Sequence, residues 1–114
     1  MSRVGADALH LALANELQFR TEKPYTKKLF TTERSIVMVV CLVPGQFIPP
    51  HSHTSREAFV HGVRGEVRFT PGEGEAELRA GELRFYDGAE AISPRNVGTE
   101  NAAFVVTLVR KKHA

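Results

Sequence analysis

Residues 44–57 read PGQFIPPHSHTSRE, a stretch with two histidines two positions apart and a glutamate at its end. Side chains alternate across an extended strand, so His51 and His53 point the same way. Their Cα atoms are expected about 6.6 Å apart at the usual rise per residue, close enough for both imidazoles to reach one metal ion. Glu57 follows four residues later and could bring a carboxylate to the same point from the next strand. Imidazole and carboxylate ligands together suit Fe, Mn, Ni or Zn.

The spacing of these residues resembles the first motif of the cupin family. Gly45, five residues, His51-x-His53, three residues and Glu57 match that motif up to its glutamate. The motif normally closes with a glycine after six more residues, whereas Gly65 comes after seven. The extra residue implies a bulge or a shifted register in the strand that follows Glu57.

The second cupin motif is only partly present. It runs glycine, five residues, proline-x-glycine, two residues, histidine, three residues, asparagine. Gly81 and Asn96 match its ends, but Asp87 and Ala89 stand at the proline and glycine positions and Ile92 stands at the histidine position. In the family that histidine is the fourth metal ligand. The resemblance therefore implies either a three-ligand site with positions open to water or a barrel that has lost its metal.

The resemblance spans residues 36–110 and implies an all-β fold, the cupin double-stranded β-helix, which is a jelly-roll-like antiparallel barrel. It implies little about activity, because cupins include dioxygenases, isomerases, decarboxylases, sugar-binding domains and seed storage proteins. Homodimers are common among the proteins that it resembles. Residues 36–43 are apolar on both faces of their strand, which is compatible with a homodimer.

Length and composition describe an ordinary globular protein. The chain has 114 residues, of which 42% are hydrophobic and 25% charged, enough for one core but not for two. Its longest apolar run, residues 36–44, is the length of a strand rather than of a membrane span. The N-terminus lacks the pattern of a secretory signal. Cys41 is the only cysteine, which excludes an internal disulfide and fits a reducing, cytoplasmic location.

The charge pattern does not indicate a nucleic-acid partner. The net charge is only +2. The lysines at positions 23, 27, 28, 111 and 112 lie near the termini, without the interleaved aromatic residues that a single-strand binder uses. Neither nucleic acid nor a membrane is therefore expected as a partner. The expected partner is a small-molecule ligand.

Residues 6–18 predict a short amphipathic helix, because Leu9, Leu13 and Leu17 recur every four residues. With the connector after it, this helix makes an N-terminal segment of residues 1–24, outside a single barrel domain of residues 25–114. From Tyr25 onward, short β segments alternate with turn residues, which indicates an antiparallel barrel or sandwich. Strands are predicted at 26–30, 35–43, 57–64, 66–70, 75–79, 82–86, 91–93 and 102–111.

Three further residues are candidates for the pocket. His61 shares strand parity with Glu57, and it is a fourth ligand brought in by a bulge, a pocket residue or a hydrogen-bonded core histidine. Tyr86 is a candidate for lining the pocket, and either His61 or Tyr86 is a candidate general base for isomerase chemistry. Ile92 is expected in the pocket because it stands at the fourth-ligand position.

Each metal-ligand candidate also has a plainer interpretation. His51 and His53 could be polar residues on a loop rim, and Glu57 could be the solvated end of a strand. We favour the metal interpretation, because the spacing, the position of Glu57 and the resemblance agree.

Two functions from different classes follow. The first is a metal-dependent enzyme, dioxygenase-like or isomerase-like, acting on a small organic molecule in the barrel. His51, His53 and Glu57 would hold a divalent ion that activates dioxygen or polarises a substrate oxygen. The alternative is a non-catalytic small-molecule-binding or sensor module, with or without metal. A third possibility is an assembly or regulatory barrel that acts through its outer face.

Overall fold

The computed structural model describes residues 9–70 and 75–112, and their strands form two antiparallel sheets. The strands are β1 (Tyr25–Thr31), β2 (Ser35–Leu42), β3 (Arg56–Arg64), β4 (Glu66–Phe69), β5 (Ala76–Arg79), β6 (Leu83–Asp87), β7 (Pro94–Arg95) and β8 (Ala102–Arg110). The larger sheet has the order β1-β2-β8-β3-β6, and the smaller has the order β5-β4-β7. This arrangement confirms the all-β fold predicted from the sequence.

The main core lies between the two sheets. Its buried members include Val40 and Leu42 of β2, Val60 of β3, and Phe69 of β4. The ring of Phe69 packs against that of Phe104 on β8, with centroids 5.3 Å apart. Burial of these large apolar side chains is the main favourable term in the free energy of folding.

The N-terminal segment is less helical than its leucine spacing predicts. Among residues 9–24 the one regular helix is the 3-10 helix Leu13–Glu16, while residues 6–8 lie outside the described part of the chain. Leu13, Leu17 and Phe19 pack on the outer face of the larger sheet, where they help to cover Cys41. A helix of this length is marginal by itself, so contacts with the sheet decide its conformation. The described residues contain no helix that is long and apolar enough to span a membrane.

The packing of that segment explains why β2 is apolar on both faces. Val40 and Leu42 point into the core between the sheets. Val39 and Cys41 point outward and are fully buried beneath the N-terminal segment. From Val39 to Leu42, both faces of β2 are therefore covered within a single chain.

Two details differ from the predicted strands. The predicted strand 91–93 is replaced by β7, and Ile92 makes only an isolated bridge to His51. The irregularity expected after Glu57 lies between Gly62 and Arg64, where the register of β3 against β8 shifts. The register from Arg56 to Gly62 is regular. Side chains in this part of β3 therefore point alternately to the two faces of the sheet.

Gly88 fastens the segment with the two histidines to the end of β6. Its N–H donates to the carbonyl oxygen of Arg56 at 2.9 Å, and its carbonyl oxygen accepts the N–H of His53 at 2.6 Å. A Cβ atom at position 88 would lie 2.1 Å from the carbonyl oxygens of both His53 and Arg56. Only glycine therefore fits without moving the backbone on which His53 is carried.

We expect Gly88→Ala to lower the free energy of unfolding by about 1–3 kcal/mol, the usual cost of forcing extra atoms into a packed site. Urea denaturation followed by circular dichroism measures the change. Gly98→Ala is the matched control, because the nearest atom to a Cβ there is 3.6 Å away. Equal losses in the two variants would contradict the prediction.

Candidate functional site

A cavity of about 230 Å³ lies inside the barrel, between the two sheets. Its walls are apolar side chains, among them Met38 and Val40 of β2, Ala58 and Val60 of β3, and Phe104 and Leu108 of β8. His51 and His53 are the only ionisable side chains among the lining residues that the structure describes. The cavity therefore has apolar walls, and two imidazoles provide its ionisable groups.

A larger groove of about 870 Å³ lies on the outside of the barrel. Arg68 lines it and is paired with Glu75 at 3.2 Å and with Glu77 at 3.0 Å. Its charged groups thus partner one another at an open surface, where ion pairs contribute little energy. The interior cavity is the better candidate site, because it combines enclosure with the two histidines.

His51 and His53 are held together by backbone hydrogen bonds on both sides. His51 pairs with Ile92 through two bonds of 3.1 and 3.0 Å, and the N–H of His53 donates to Gly88. The two imidazole rings meet edge to face, with centroids 5.1 Å apart. The structure therefore brings these two predicted site residues together at the cavity.

The hydrogen bonding of His51 orients its ring. Its Nδ1 lies 3.2 Å from the carbonyl oxygen of Pro49. A carbonyl oxygen only accepts, so Nδ1 carries the proton in this contact and Nε2 of the neutral ring is left with a free lone pair. That nitrogen can accept a hydrogen bond from a ligand or bind a metal ion.

The environment of His53 favours its neutral form. Burial lowers its pKa below the usual value, and the neighbouring His51 and Arg56 lower the pKa further. Desolvation and nearby positive charge both disfavour an imidazolium. His53 is therefore neutral at physiological pH and able to act as a ligand or an acceptor.

The structure does not bring Glu57 to the two histidines. Ala58 pairs with Leu108 on β8 and points into the cavity, whereas Glu57 pairs with Val109 and, on β6, with Asp87. Because side chains alternate along a strand, Glu57 lies on the outer face. No group of three or more His, Cys, Asp or Glu residues is placed to hold a metal ion within residues 9–70 and 75–112.

Apolar side chains occupy the places where further ligands would be needed. Ala58 lines the cavity from β3, and Ile92 lines it from the segment opposite His51. Counting the motif's six residues back from Gly65 also reaches Ala58 rather than Glu57, so the extra residue was the signal for this shift. Two histidines alone do not make the three-ligand set of a catalytic zinc site or of a non-haem iron site.

The other two predicted pocket residues are placed differently from each other. His61 is exposed on the outer face of the larger sheet, between Leu83 and Val105. Tyr86 points inward and is 6% exposed, with its ring centroid 5.6 Å from that of Phe69. Burial raises the pKa of Tyr86 to about 12, and its hydroxyl has no hydrogen-bond partner within the described residues. His61 is therefore not placed to act on a ligand at the histidines, and the raised pKa of Tyr86 makes it a poor general base near neutral pH.

Comparisons with known proteins agree with this fold. The chain has a TM-score of 0.83 and 26% identity with the protein TT1209 from Thermus thermophilus, covering 89% of this chain and 96% of that one. It has the same score and 21% identity with an uncharacterized protein with a double-stranded beta-helix domain from Klebsiella pneumoniae, covering 95% of each chain. With the Cupin_2 domain of an XRE family transcriptional regulator from Enterobacter cloacae the chain has a TM-score of 0.73 and 16% identity, covering 78% of this chain and 98% of that one.

No curated protein matches the chain. The family model described as a cupin domain matches residues 38–108, which include β3 to β7, most of β2 and β8, and both histidines of the cavity. With that match over more than half of its length, the chain belongs to the cupin family.

Proposed function

We propose that this cupin binds a small organic molecule inside its barrel and acts as a binding or sensing module. The observation that supports the proposal is the cavity, which has apolar walls and two imidazoles that can hydrogen-bond a ligand. Its volume of about 230 Å³ is below the roughly 300–1,000 Å³ of sites for drug-sized ligands. The ligand is therefore small, with an apolar body and one polar end.

The imidazoles give the ligand its orientation. The side chain of His53 is partly buried and that of His51 is exposed, so the polar end of the ligand lies toward solvent and its apolar end lies deeper. There it meets Phe104 and Leu108. Burying the apolar end supplies affinity in proportion to the area removed from water, while hydrogen bonds to the imidazoles select the polar group.

Non-catalytic binding is favoured over catalysis by the positions of the candidate bases. His61 lies on the outer face, and the hydroxyl of Tyr86 has its pKa raised to about 12 by burial. A general base works best with a pKa near the working pH, which Tyr86 does not have. Structural neighbours with less than 25% identity indicate only a shared fold and not a shared function. The preference for non-catalytic binding therefore rests on the cavity of this chain.

A metal-dependent enzyme is the second candidate, and the paired histidines favour it. His51 and His53 meet edge to face with the His51 Nε2 lone pair free, which suits two ligands of Fe, Mn, Ni or Zn. Such an ion would polarise a substrate oxygen or activate dioxygen. Glu57 as the third ligand would require β3 to shift by one residue, which would also move Ala58 and Val60 out of the cavity.

Two other expectations continue as proposals. A homodimer is proposed from the likeness to cupins, and sedimentation equilibrium of the purified chain would measure it. A cytoplasmic location is proposed from the single cysteine, and fractionation of the cells that produce the protein would measure it.

Ligand binding is tested by two-dimensional amide NMR, with alcohols, amides and carboxylic acids of four to six carbons as probes. We expect shifts at β3 and β8. His51→Ala and His53→Ala should each weaken binding by about fivefold, as for a lost hydrogen bond of about 1 kcal/mol. His61→Ala is the matched control, because that histidine lies on the opposite face of β3. If no probe binds, or if all three variants behave alike, the proposal fails.

Metal content separates the two candidates. Since the described residues supply two ligands, we expect less than one equivalent of Fe, Mn, Ni or Zn to survive purification and dialysis. Elemental mass spectrometry on the untagged protein measures it, with His51→Ala, His53→Ala and His61→Ala alongside. A full equivalent that is lost in the first two variants and kept in the third would instead favour the metal-dependent enzyme.

A further inference from the structure

Three arginines form a row across the larger sheet at one end of the barrel. Arg56 begins β3 and lies directly opposite Arg110, which ends β8. The N–H of Arg110 donates to the carbonyl oxygen of Arg34 at 2.8 Å, immediately before β2 begins. Arg34, just before β2, therefore lies with Arg110 of β8 and Arg56 of β3 at the same end of the sheet.

This end of the sheet is the end at which the histidines lie. Gly88 bonds to both Arg56 and His53, so these two residues share one anchor. Arg56 also has the strand parity of Ala58 and Val60, which line the cavity, and no register shift occurs between them. By alternation, Arg56 therefore points to the same face of β3 as the residues that line the cavity, although it is not one of them. Its charge acts on the neighbouring His53.

Within the part of the chain that the structure describes, no ion pair balances the positive charge of this row. No salt bridge joins Arg34, Arg56 or Arg110 to a carboxylate within residues 9–70 and 75–112. Two carboxylates lie near: Asp87 is engaged by Lys111 at 2.7 Å, and Glu57 is on the outer face. Like charges directly opposite each other on a sheet are destabilising.

Arg56 also has an unused donor. Its Nη1 atom is shielded from solvent and has no hydrogen-bond partner among the described residues. Arginine cannot lose its proton in a protein, and a shielded donor without a partner costs free energy. A ligand oxygen at this position would remove the cost and balance the charge.

We infer that the ligand of the cavity is a small carboxylate, whose anionic end is received by Arg56 with Arg110 beside it. The planar guanidinium matches the two oxygens of a carboxylate, and such charge-assisted pairs are stronger than neutral hydrogen bonds. The inference rests on the proposed function, because the apolar body of the same ligand occupies the cavity. It adds the chemical class, which the two histidines alone leave open.

The test uses two probes that differ in charge and hardly in shape, 3-methylbutanoate and 3-methylbutanamide. Isothermal titration calorimetry gives the affinity of each for the wild-type chain and for Arg56→Gln. We expect the wild type to bind the carboxylate at least about tenfold more tightly than the amide. Arg56→Gln should remove most of that preference, because it should weaken binding of the carboxylate much more than binding of the amide.

Arg84→Gln is the matched control, because Arg84 also lies on the larger sheet but donates to the carbonyl oxygen of Glu77, away from the row. Arg110→Gln provides a second variant in case Arg56→Gln does not fold, which circular dichroism would reveal, and it should weaken only the carboxylate. Raising the salt concentration should likewise weaken the carboxylate and not the amide.

The outcomes are distinguishable. Equal affinities for the two probes in the wild type, or a preference that survives both Arg56→Gln and Arg110→Gln, would overturn the inference and leave the cavity proposal standing. Failure of both probes to bind would overturn the proposed function and the inference together. A preference lost equally in Arg84→Gln would show a general charge effect and would also overturn the inference.

Discussion

The alternation of side chains along β3 is the constraint on which the candidate site depends. Arg56, Ala58 and Val60 face the cavity side, while Glu57 and His61 face outward. A slip of one residue would exchange the two sets and would expose the apolar wall of the cavity. The pairing of β3 with β8 on one edge and with β6 on the other holds that register, so packing of the core and chemistry of the site are determined together.

Glycines allow the backbone to approach closely enough to keep this register. A Cβ at Gly62 would lie 2.1 Å from the carbonyl oxygen of Arg79, so β3 passes close to the end of β5 just where its register shifts. Gly88 makes a similar approach to the backbone of His53 and Arg56. Other backbone thus approaches β3 closely at two points, at Gly62 next to its register shift and at Gly88 next to its first residue. The imidazoles lie on backbone that is hydrogen-bonded to both β6 and the Ile92 segment.

Local pattern predicted the strands well because each is bounded by turn residues, and it predicted the meeting of His51 and His53 because both lie on one short extended segment. It could not place Glu57, because the turn between His53 and β3 breaks the count of alternation. The pairing of β3 with β6 and β8 decides which side the glutamate takes. The leucine repeat near the N-terminus was ambiguous in a similar way. Such spacing suits a helix, but the outer face of the sheet supplied the apolar contacts instead. Arg56 gave no local signal at all, since its meaning depends on Arg110, which is distant in sequence and adjacent in the sheet.

Ala58, Ile92 and Arg56 together determine which kind of ligand the cavity favours. Ala58 lies where the carboxylate ligand would be needed, and Ile92 stands at the histidine position of the second motif. The two histidines therefore lack both further groups that would help to hold a divalent cation. Burial lowers the pKa of His53 most, and the neighbouring His51 and the permanently charged Arg56 lower it further. The same field that disfavours a proton on His53 also disfavours a metal ion there, because both are cations. An anion experiences the opposite effect, and the partly enclosed surroundings strengthen it relative to bulk water. The arginine row therefore suits the oxygens of the proposed organic anion. The free lone pair on Nε2 of His51 offers that anion no donor, so the guanidinium of Arg56 would supply the charged contact.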